Sequence, residues 1–226
     1  LDHSSGIPFY AGQRQMLGLA PGRIYVPSET LADFQALMAI HSRLEETLYD
    51  LEIVGMSPGD SAPISRTLSA RAHDATHRVP TRAYEILERR HHLKKTLEGR
   101  SGAELAALRA AGERIDEEME LPILFYTGDT DRGILEKNDA LFLADVLMIE
   151  CSFVAAGHED RAAKYRHIHF DDIAEFADRF ENRLIVLTHF SRRYSREEIL
   201  ATLRKRCPAS LRDRIRLAFP EPFQRL

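Results

Sequence analysis

The stretch LIVLTHFSRRY, residues 184–194, decides how this sequence folds. Its first four residues form a continuous apolar run, which is typical of a strand that is covered on both faces of a sheet. The run leads directly into Thr188 and His189, so an imidazole stands where the strand ends. Ligands collect beyond the carboxyl ends of such strands, because loop side chains and backbone polar groups converge there. The pattern predicts an α/β protein with a functional site at that edge of its sheet.

Two other apolar runs end in the same way. Residues 123–126 lead into a Thr-Gly-Asp-Thr turn that contains Gly128 and Asp129, and residues 146–149 lead into Glu150. Because glycine lets the chain turn tightly, the Asp129 oxygens can point inward and bridge two cations. Alone, such a turn is more often a hydrogen-bonded loop, and a histidine after a strand is more often structural. Their joint occurrence favours a metal site.

The remaining elements follow from apolar spacing and from the turn residues between them. Residues 84–97 are ambiguous, because they begin as a possible strand and end as a charged helix. We interpret the basic cluster at 89–95 as a solvated helix face, paired with glutamates at helical spacing. The other predictions are a loop at 6–16, a strand at 23–26, a helix from Leu31 to about Asp50, strands within 51–81, helices at 104–108, from about Asn138, at 173–180 and at 196–206, and an edge strand at 215–219.

Composition excludes several classes of protein. The chain has 226 residues, a formal net charge of -4 and two cysteines, so neither a disulfide framework nor a thiolate metal cluster is indicated. No apolar run approaches the roughly 18 to 20 residues that span a bilayer. The charge argues against a surface of positive potential throughout, although a local basic face can still bind phosphates. We therefore expect a single domain, residues 1–226, in the cytoplasm.

Six short blocks, taken in order, resemble a known family. They are Asp2-His3, His77, Gly128-Asp129-Thr130, Glu150, His169 and the stretch 187–194. This order is similar to the ribonuclease Z pattern within the metallo-β-lactamase superfamily. The resemblance implies a metallo-β-lactamase-like αβ/βα four-layer sandwich with helices outside two facing sheets. In this superfamily the Asp-His pair ends a longer signature with two earlier histidines, so we expect a chain that lacks the first strands of its fold.

The resemblance also implies a ligand set for two metal ions. Zn²⁺ suits mixed nitrogen and oxygen ligation, and Mn²⁺ or iron is possible in the same cage. Two Zn²⁺ ions per intact enzyme would stabilise charge on a phosphoryl oxygen under attack by water. Asp2 is also counted among the catalytic residues. The implied ligands are Asp2, His3, His77, Asp129 and His189.

A proton-delivery pair is implied beside the metals. Glu150 would orient a histidine so that its imidazole can protonate the leaving oxygen. The segment His167-Ile168-His169 offers two candidates for that role, and we favour His169 because the residues after it continue in the family's manner. Substrate-binding roles are implied for Ser191, Arg193 and Tyr194.

The implied function is cleavage of precursor tRNA at its 3′ end by a metal-dependent endonuclease. Many ribonuclease Z proteins carry a long Gly- and Pro-rich arm where this chain has the interval 84–120, which is short and mostly helical in pattern. That departure favours a rival, a hydrolase of the same fold acting on a small phosphodiester, ester or thioester. A third possibility is a truncated, inactive binding module. A homodimer is expected by resemblance.

Overall fold

The computed structural model describes residues 3–219 and 224–225 of the chain. Its strands are β1 (Gly22–Pro27), β2 (Leu51–Met56), β3 (Ser61–Pro63), β4 (Leu68–Asp74), β5 (Arg82–Leu93), β6 (Asp116–Tyr126), β7 (Val146–Glu150), β8 (Leu184–Thr188), β9 (Ile215–Leu217) and β10 (Gln224–Arg225). Its α-helices are α1 (Gly6–Met16), α2 (Leu31–Leu44), α3 (Gly102–Ala110), α4 (Gly133–Lys137), α5 (Ala140–Leu143), α6 (Glu159–Tyr165), α7 (Phe170–Glu175), α8 (Arg196–Arg206) and α9 (Ala209–Arg212). The mixed α/β class is confirmed.

Eight strands form one large sheet in the order β10-β9-β8-β7-β6-β5-β4-β3. Strands β6 to β9 pair in parallel, whereas β3 to β6 pair in antiparallel fashion. Because β6, β7 and β8 are parallel neighbours, their carboxyl ends lie at one edge of the sheet. The turn at Gly128, the carboxylate of Glu150 and the imidazole of His189 therefore meet there, as the sequence predicts.

The two faces of the large sheet are covered differently. One face packs against α4, α5, α7 and α8 in a core that includes Phe125, Leu147 and Leu187. On the other face, Tyr84 packs with Met56 and Tyr25, which belong to a separate parallel sheet of β1 and β2.

Helices α1 and α2 lie on the outer face of the small sheet. An added Cβ at Gly22 would meet Tyr10 and Arg14 of α1, and one at Gly55 would meet Leu31 of α2. Successive strand residues point to opposite faces of a sheet. Gly22 and Gly55 lie on the face opposite to Tyr25 and Met56, which face the large sheet. The order helix, sheet, sheet, helix is that of the predicted four-layer sandwich.

The prediction of a loop at residues 6–16 was wrong, since these residues form α1. Pro8 and Gly12 suggested a loop, but Pro8 falls in the first turn, where a proline costs no hydrogen bond. Ala11 is buried, so one side of the helix is fixed by packing. The helix that begins at Leu31 ends at Leu44, earlier than expected.

The interval 84–120 is also not mostly helical. Strand β5 continues to Leu93 and pairs with β6 from Tyr84 opposite Tyr126 to Leu93 opposite Asp116, whereas β4 reaches only Glu88. The outer part of this β5–β6 hairpin therefore extends beyond the sheet, with α3 in its connection. Residues 89–92 of the basic cluster lie on β5 rather than on a helix, and Arg89 forms an ion pair with Glu118 across the hairpin.

Strand β9 corrects the prediction of an edge strand at 215–219. It ends at Leu217 and lies between β8 and β10, so it is an inner strand of the sheet. Ile215 and Leu217 are fully buried. Within the described ranges, every helix is too short or too polar to cross a lipid bilayer.

Candidate metal centre

Asp129 lies at the centre of the site. One carboxylate oxygen, Oδ2, is 3.0 Å from Nε2 of His3 and 3.4 Å from Nε2 of His189. The other oxygen, Oδ1, is buried and has no hydrogen-bond partner within the described part of the chain. A buried carboxylate oxygen without a donor is costly unless a cation satisfies it. The Asp2 ligand implied by the resemblance lies outside the described residues.

Four imidazoles near this carboxylate form a series of neighbouring rings. Ring centroids are 5.2 Å apart for His3 and His189, 5.3 Å for His189 and His167, and 4.8 Å for His167 and His77. Ligand atoms of four residues lie within 4.8 Å of one another: Asp129, Glu150, His167 and His189. Imidazole nitrogens and carboxylate oxygens are typical ligands of divalent transition metals. The arrangement is a possible metal-binding cluster.

Two carboxylates lie at this edge of the sheet. Burial, together with the charges of Asp129 and Glu150, raises the pKa of the Tyr126 hydroxyl at the end of β6. Neighbouring carboxylates favour a cation over an anion at the same place.

Gly128 lets the chain present Asp129. Its backbone is left-handed, with φ at +60°, and an added Cβ would lie 3.3 Å from the carbonyl oxygen of Arg82. Both the conformation and the close approach disfavour any side chain.

We expect Gly128→Ala to lower the free energy of unfolding by about 2 kcal/mol, because alanine is strained in this conformation. Urea denaturation of the metal-free protein measures the change. The matched control is Gly102→Ala at the start of α3, where an added Cβ meets nothing within 4 Å. Equal stabilities for the two variants would contradict the argument.

His189 also adopts a left-handed backbone conformation, with φ at +58°. Such a conformation is uncommon outside glycine and persists only where the surroundings enforce it. Here the Ser152 hydroxyl oxygen lies 3.1 Å from the carbonyl oxygen of His189, and the backbone N–H of Ser191 donates to the Ser152 carbonyl oxygen at 3.1 Å. The turn after β8 thereby directs the imidazole toward Asp129.

His77 is held by a reciprocal contact with Arg166. Its Nδ1 donates to the Arg166 carbonyl oxygen at 2.9 Å, and the Arg166 guanidinium donates to the His77 carbonyl oxygen at 3.0 Å. With the proton on Nδ1, the Nε2 lone pair is available as a ligand. Arg166, in a left-handed conformation with φ at +56°, gave no signal in the sequence.

Glu150 is 1% exposed and is surrounded by donors. Its Oε1 accepts from the backbone N–H of Thr130 and from Nδ1 of His167, both at 2.8 Å. Its Oε2 accepts from the hydroxyl of Ser152 at 2.7 Å and from the backbone N–H groups of Ser152 and Ile168 at 3.3 Å. Both carboxylate oxygens of Glu150 are therefore hydrogen-bond acceptors, which is what a buried carboxylate needs.

The structure pairs Glu150 with His167 rather than with His169. Burial lowers the pKa of His167, but its hydrogen bond to Glu150 and the charges of Glu150 and Asp129 outweigh burial and raise the pKa above its usual value. His169 is turned away: its Nε2 donates to the Ala155 carbonyl oxygen, and its Nδ1 accepts from a backbone N–H at the start of α7. His169 is the N-cap of α7, and His167 occupies the position beside Glu150 that was expected for His169.

A cleft of about 460 Å³ opens beside the cluster. Of the three predicted substrate-binding residues, Ser191 and Arg193 line it, while Tyr194 instead bonds through its hydroxyl to Nδ1 of His158 at 2.5 Å. Sequence reasoning gave no substrate-binding role to several other lining residues, among them Arg78, Tyr165 and Arg192.

Comparison with known proteins was made by sequence and by structure. The chain is 31% identical over 202 residues to tRNase Z TRZ1 of Arabidopsis thaliana, covering 88% of this chain and 72% of that protein. It is 28% identical over 202 residues to the chloroplastic tRNase Z TRZ2 of the same plant, covering 88% of this chain but 57% of that protein. No family model matches the chain.

A solved structure with a similar fold is the metallo-β-lactamase fold protein YhfI of Bacillus subtilis. It superposes with a TM-score of 0.61 at 14% identity, over 99% of this chain and 73% of that protein. At that level of identity the likeness concerns the fold alone, and it confirms the predicted fold class.

Proposed function

The chain belongs to the ribonuclease Z family of the metallo-β-lactamase superfamily, and from that premise we propose that its protein is a metal-dependent endonuclease that cleaves precursor tRNA at the 3′ end. The observation that carries the proposal is the position of Asp129. Its Oδ1, which has no hydrogen-bond partner among the described residues, belongs to a carboxylate surrounded by imidazoles, next to the paired Glu150 and His167 and beside a cleft with three arginines. Metal ligands, a proton donor and a phosphate-binding surface are what phosphodiester hydrolysis requires.

The donor set fits divalent metal, and we propose Zn²⁺, two ions in the intact enzyme. His3 and His189 would hold one ion and His77 the other, with Asp129 bridging them; Asp2 is retained as a proposed ligand from the resemblance. When bound, such ions stabilise negative charge on the phosphoryl oxygens. Mn²⁺ or iron suits the same ligands.

His167 supplies the proton in this proposal. Its Nδ1 is held by Glu150 at 2.8 Å, so only Nε2 can face a substrate. The raised pKa keeps a larger fraction of the imidazole protonated near neutral pH. Nε2–H then donates to the leaving oxygen as water attacks phosphorus and the P–O bond breaks. Glu150 keeps the ring oriented and compensates its charge.

The cleft is suited to an RNA strand. Arg78, Arg192 and Arg193 are exposed and line it, and guanidinium groups bind phosphates in a bidentate manner. Tyr165 and Phe190, both partly exposed, add aromatic rings on the same lining, which supports base stacking. Phosphate-binding and ring surfaces together favour a nucleic acid over a small ester.

The test is cleavage of a 3′-extended precursor tRNA by the protein with and without metal. We expect cleavage at the 3′ end of the tRNA body, its loss after dialysis against a chelator, and its recovery on adding Zn²⁺ or Mn²⁺. A tRNA of the same body with a mature 3′ end is the control substrate, and it should stay intact. Metal content per chain is measured on the same samples.

Two results would overturn the proposal. If bis(p-nitrophenyl) phosphate or a thioester is hydrolysed while precursor tRNA stays intact, the protein is a small-substrate hydrolase of this fold. If no metal binds and no substrate reacts, it is an inactive binding module. A homodimer and a cytoplasmic location stay predictions.

A further inference from the structure

The hydroxyl of Ser152 lies between the two functional halves of the site. Ser152 is 3% exposed. Its Oγ is 2.7 Å from Oε2 of Glu150, 2.8 Å from Nδ1 of His189 and 3.3 Å from Nδ1 of His167. One small buried side chain therefore contacts the buried carboxylate, the histidine of the proposed metal site and the histidine of the proposed proton donor.

Counting protons fixes the direction of the contact with Glu150. Both oxygens of Glu150 already accept from backbone N–H groups, which can only donate. Two oxygens 2.7 Å apart need a proton between them, so the Ser152 hydroxyl donates to Glu150 Oε2. A hydroxyl has one proton, and toward its other close partner Oγ can only accept.

The contact with His189 then follows. Because Ser152 Oγ must accept at 2.8 Å, Nδ1 of His189 carries the proton and donates it. The neutral ring therefore has its lone pair on Nε2, the nitrogen that lies 3.4 Å from Asp129 Oδ2. That tautomer is required of a metal ligand at Nε2.

We propose that the single carboxylate of Glu150 sets the tautomers of both functional histidines, and that Ser152 is the positioning residue that carries its effect to His189. Glu150 acts on His167 directly, by accepting from its Nδ1 at 2.8 Å. It acts on His189 through the hydroxyl, along the chain His189 Nδ1–H to Ser152 Oγ–H to Glu150 Oε2. The inference rests on the proposed function only for its link to cleavage, since the tautomer is a property of the metal-free protein.

The test compares Ser152→Ala, Ser152→Thr and the control Ser210→Ala by NMR of the histidine ring nitrogens. Metal-free samples at about pH 8.5, roughly two units above the ordinary histidine pKa, keep most rings neutral. We expect His189 to carry its proton on Nδ1 in the wild type and in Ser152→Thr, and to shift toward the Nε2–H form in Ser152→Ala. Zn²⁺ affinity, measured by chelator competition, should fall about 10- to 100-fold in Ser152→Ala only.

Each outcome bears on the inference. An Nε2–H tautomer of His189 in the wild type overturns it, even if Ser152→Ala does not fold. So does a Ser152→Ala protein that folds, keeps Nδ1–H on His189 and binds Zn²⁺ as tightly as the wild type. If the tautomer shift and the weaker Zn²⁺ binding occur but the wild type leaves precursor tRNA intact, the positioning role stands and the proposed function fails.

Discussion

Replacing Asp129 by alanine should abolish binding of the metal ions that this carboxylate is proposed to bridge. It should also lower the rate of phosphodiester cleavage by at least about 10³-fold. The variant removes Oδ1, which has no donor in the described part of the chain, and Oδ2, which contacts His3 and His189. Several kcal/mol of charge stabilisation would be lost, and about 4 kcal/mol in the activation barrier corresponds to that factor. Metal content per chain and single-turnover cleavage of precursor tRNA measure the two effects.

Asp139→Ala is the matched control for this variant. The Asp139 side chain is 85% exposed and pairs with Arg179 at the surface. A surface pair of this kind contributes little to stability, so metal content and cleavage should match the wild type. An Asp129→Ala protein with wild-type metal content would show that the cluster is not the metal centre.

Glu150→Gln should destabilise the protein by about 3 kcal/mol and also abolish cleavage. The amide has the shape of the carboxylate but turns one oxygen into an NH₂ group. Because both oxygens of Glu150 accept from at least two donors, that NH₂ must face N–H groups in either orientation. Breaking a buried charged network in this way is costly. Urea denaturation of the metal-free protein isolates the stability effect from metal binding.

The exposed Glu197 on α8 provides the comparison. Glu197→Gln should change the free energy of unfolding by less than about 0.5 kcal/mol, as surface substitutions usually do. If Glu150→Gln were as stable as this control, the two carboxylate oxygens could not both be held by buried donors, and the pairing with His167 would have to be reconsidered.

The predictable part of the site depended on local patterns. Apolar runs followed by a polar residue identified Asp129, Glu150 and His189, because parallel strands place their carboxyl ends together whatever the rest of the chain does. No local pattern identified His167 as the histidine that pairs with Glu150. The segment with His167 is positioned by a bridge between Phe153 and His169 and by the Ile168 N–H bond to Glu150, contacts made across 16 and 18 residues.

The β5–β6 hairpin was missed for the same reason. The charges at 89–95 fit a helix as well as a strand. The segment is a strand because it pairs with β6, which begins only at Asp116. Cross-strand pairing such as Arg89 with Glu118 is information that a window of the sequence does not contain. The Ser152 hydroxyl was overlooked because serine has no distinctive spacing.

The charge balance of this hairpin bears on how RNA would be held. Residues 89–120 contain seven lysines and arginines and seven aspartates and glutamates. Proteins bind polyphosphates largely by releasing condensed counterions, and a segment that offsets its own positive charge releases few. The counterion release in the proposed complex would therefore come from Arg78, Arg192 and Arg193, so the salt-sensitive part of RNA affinity is concentrated within a few nucleotides of the bond that is cut.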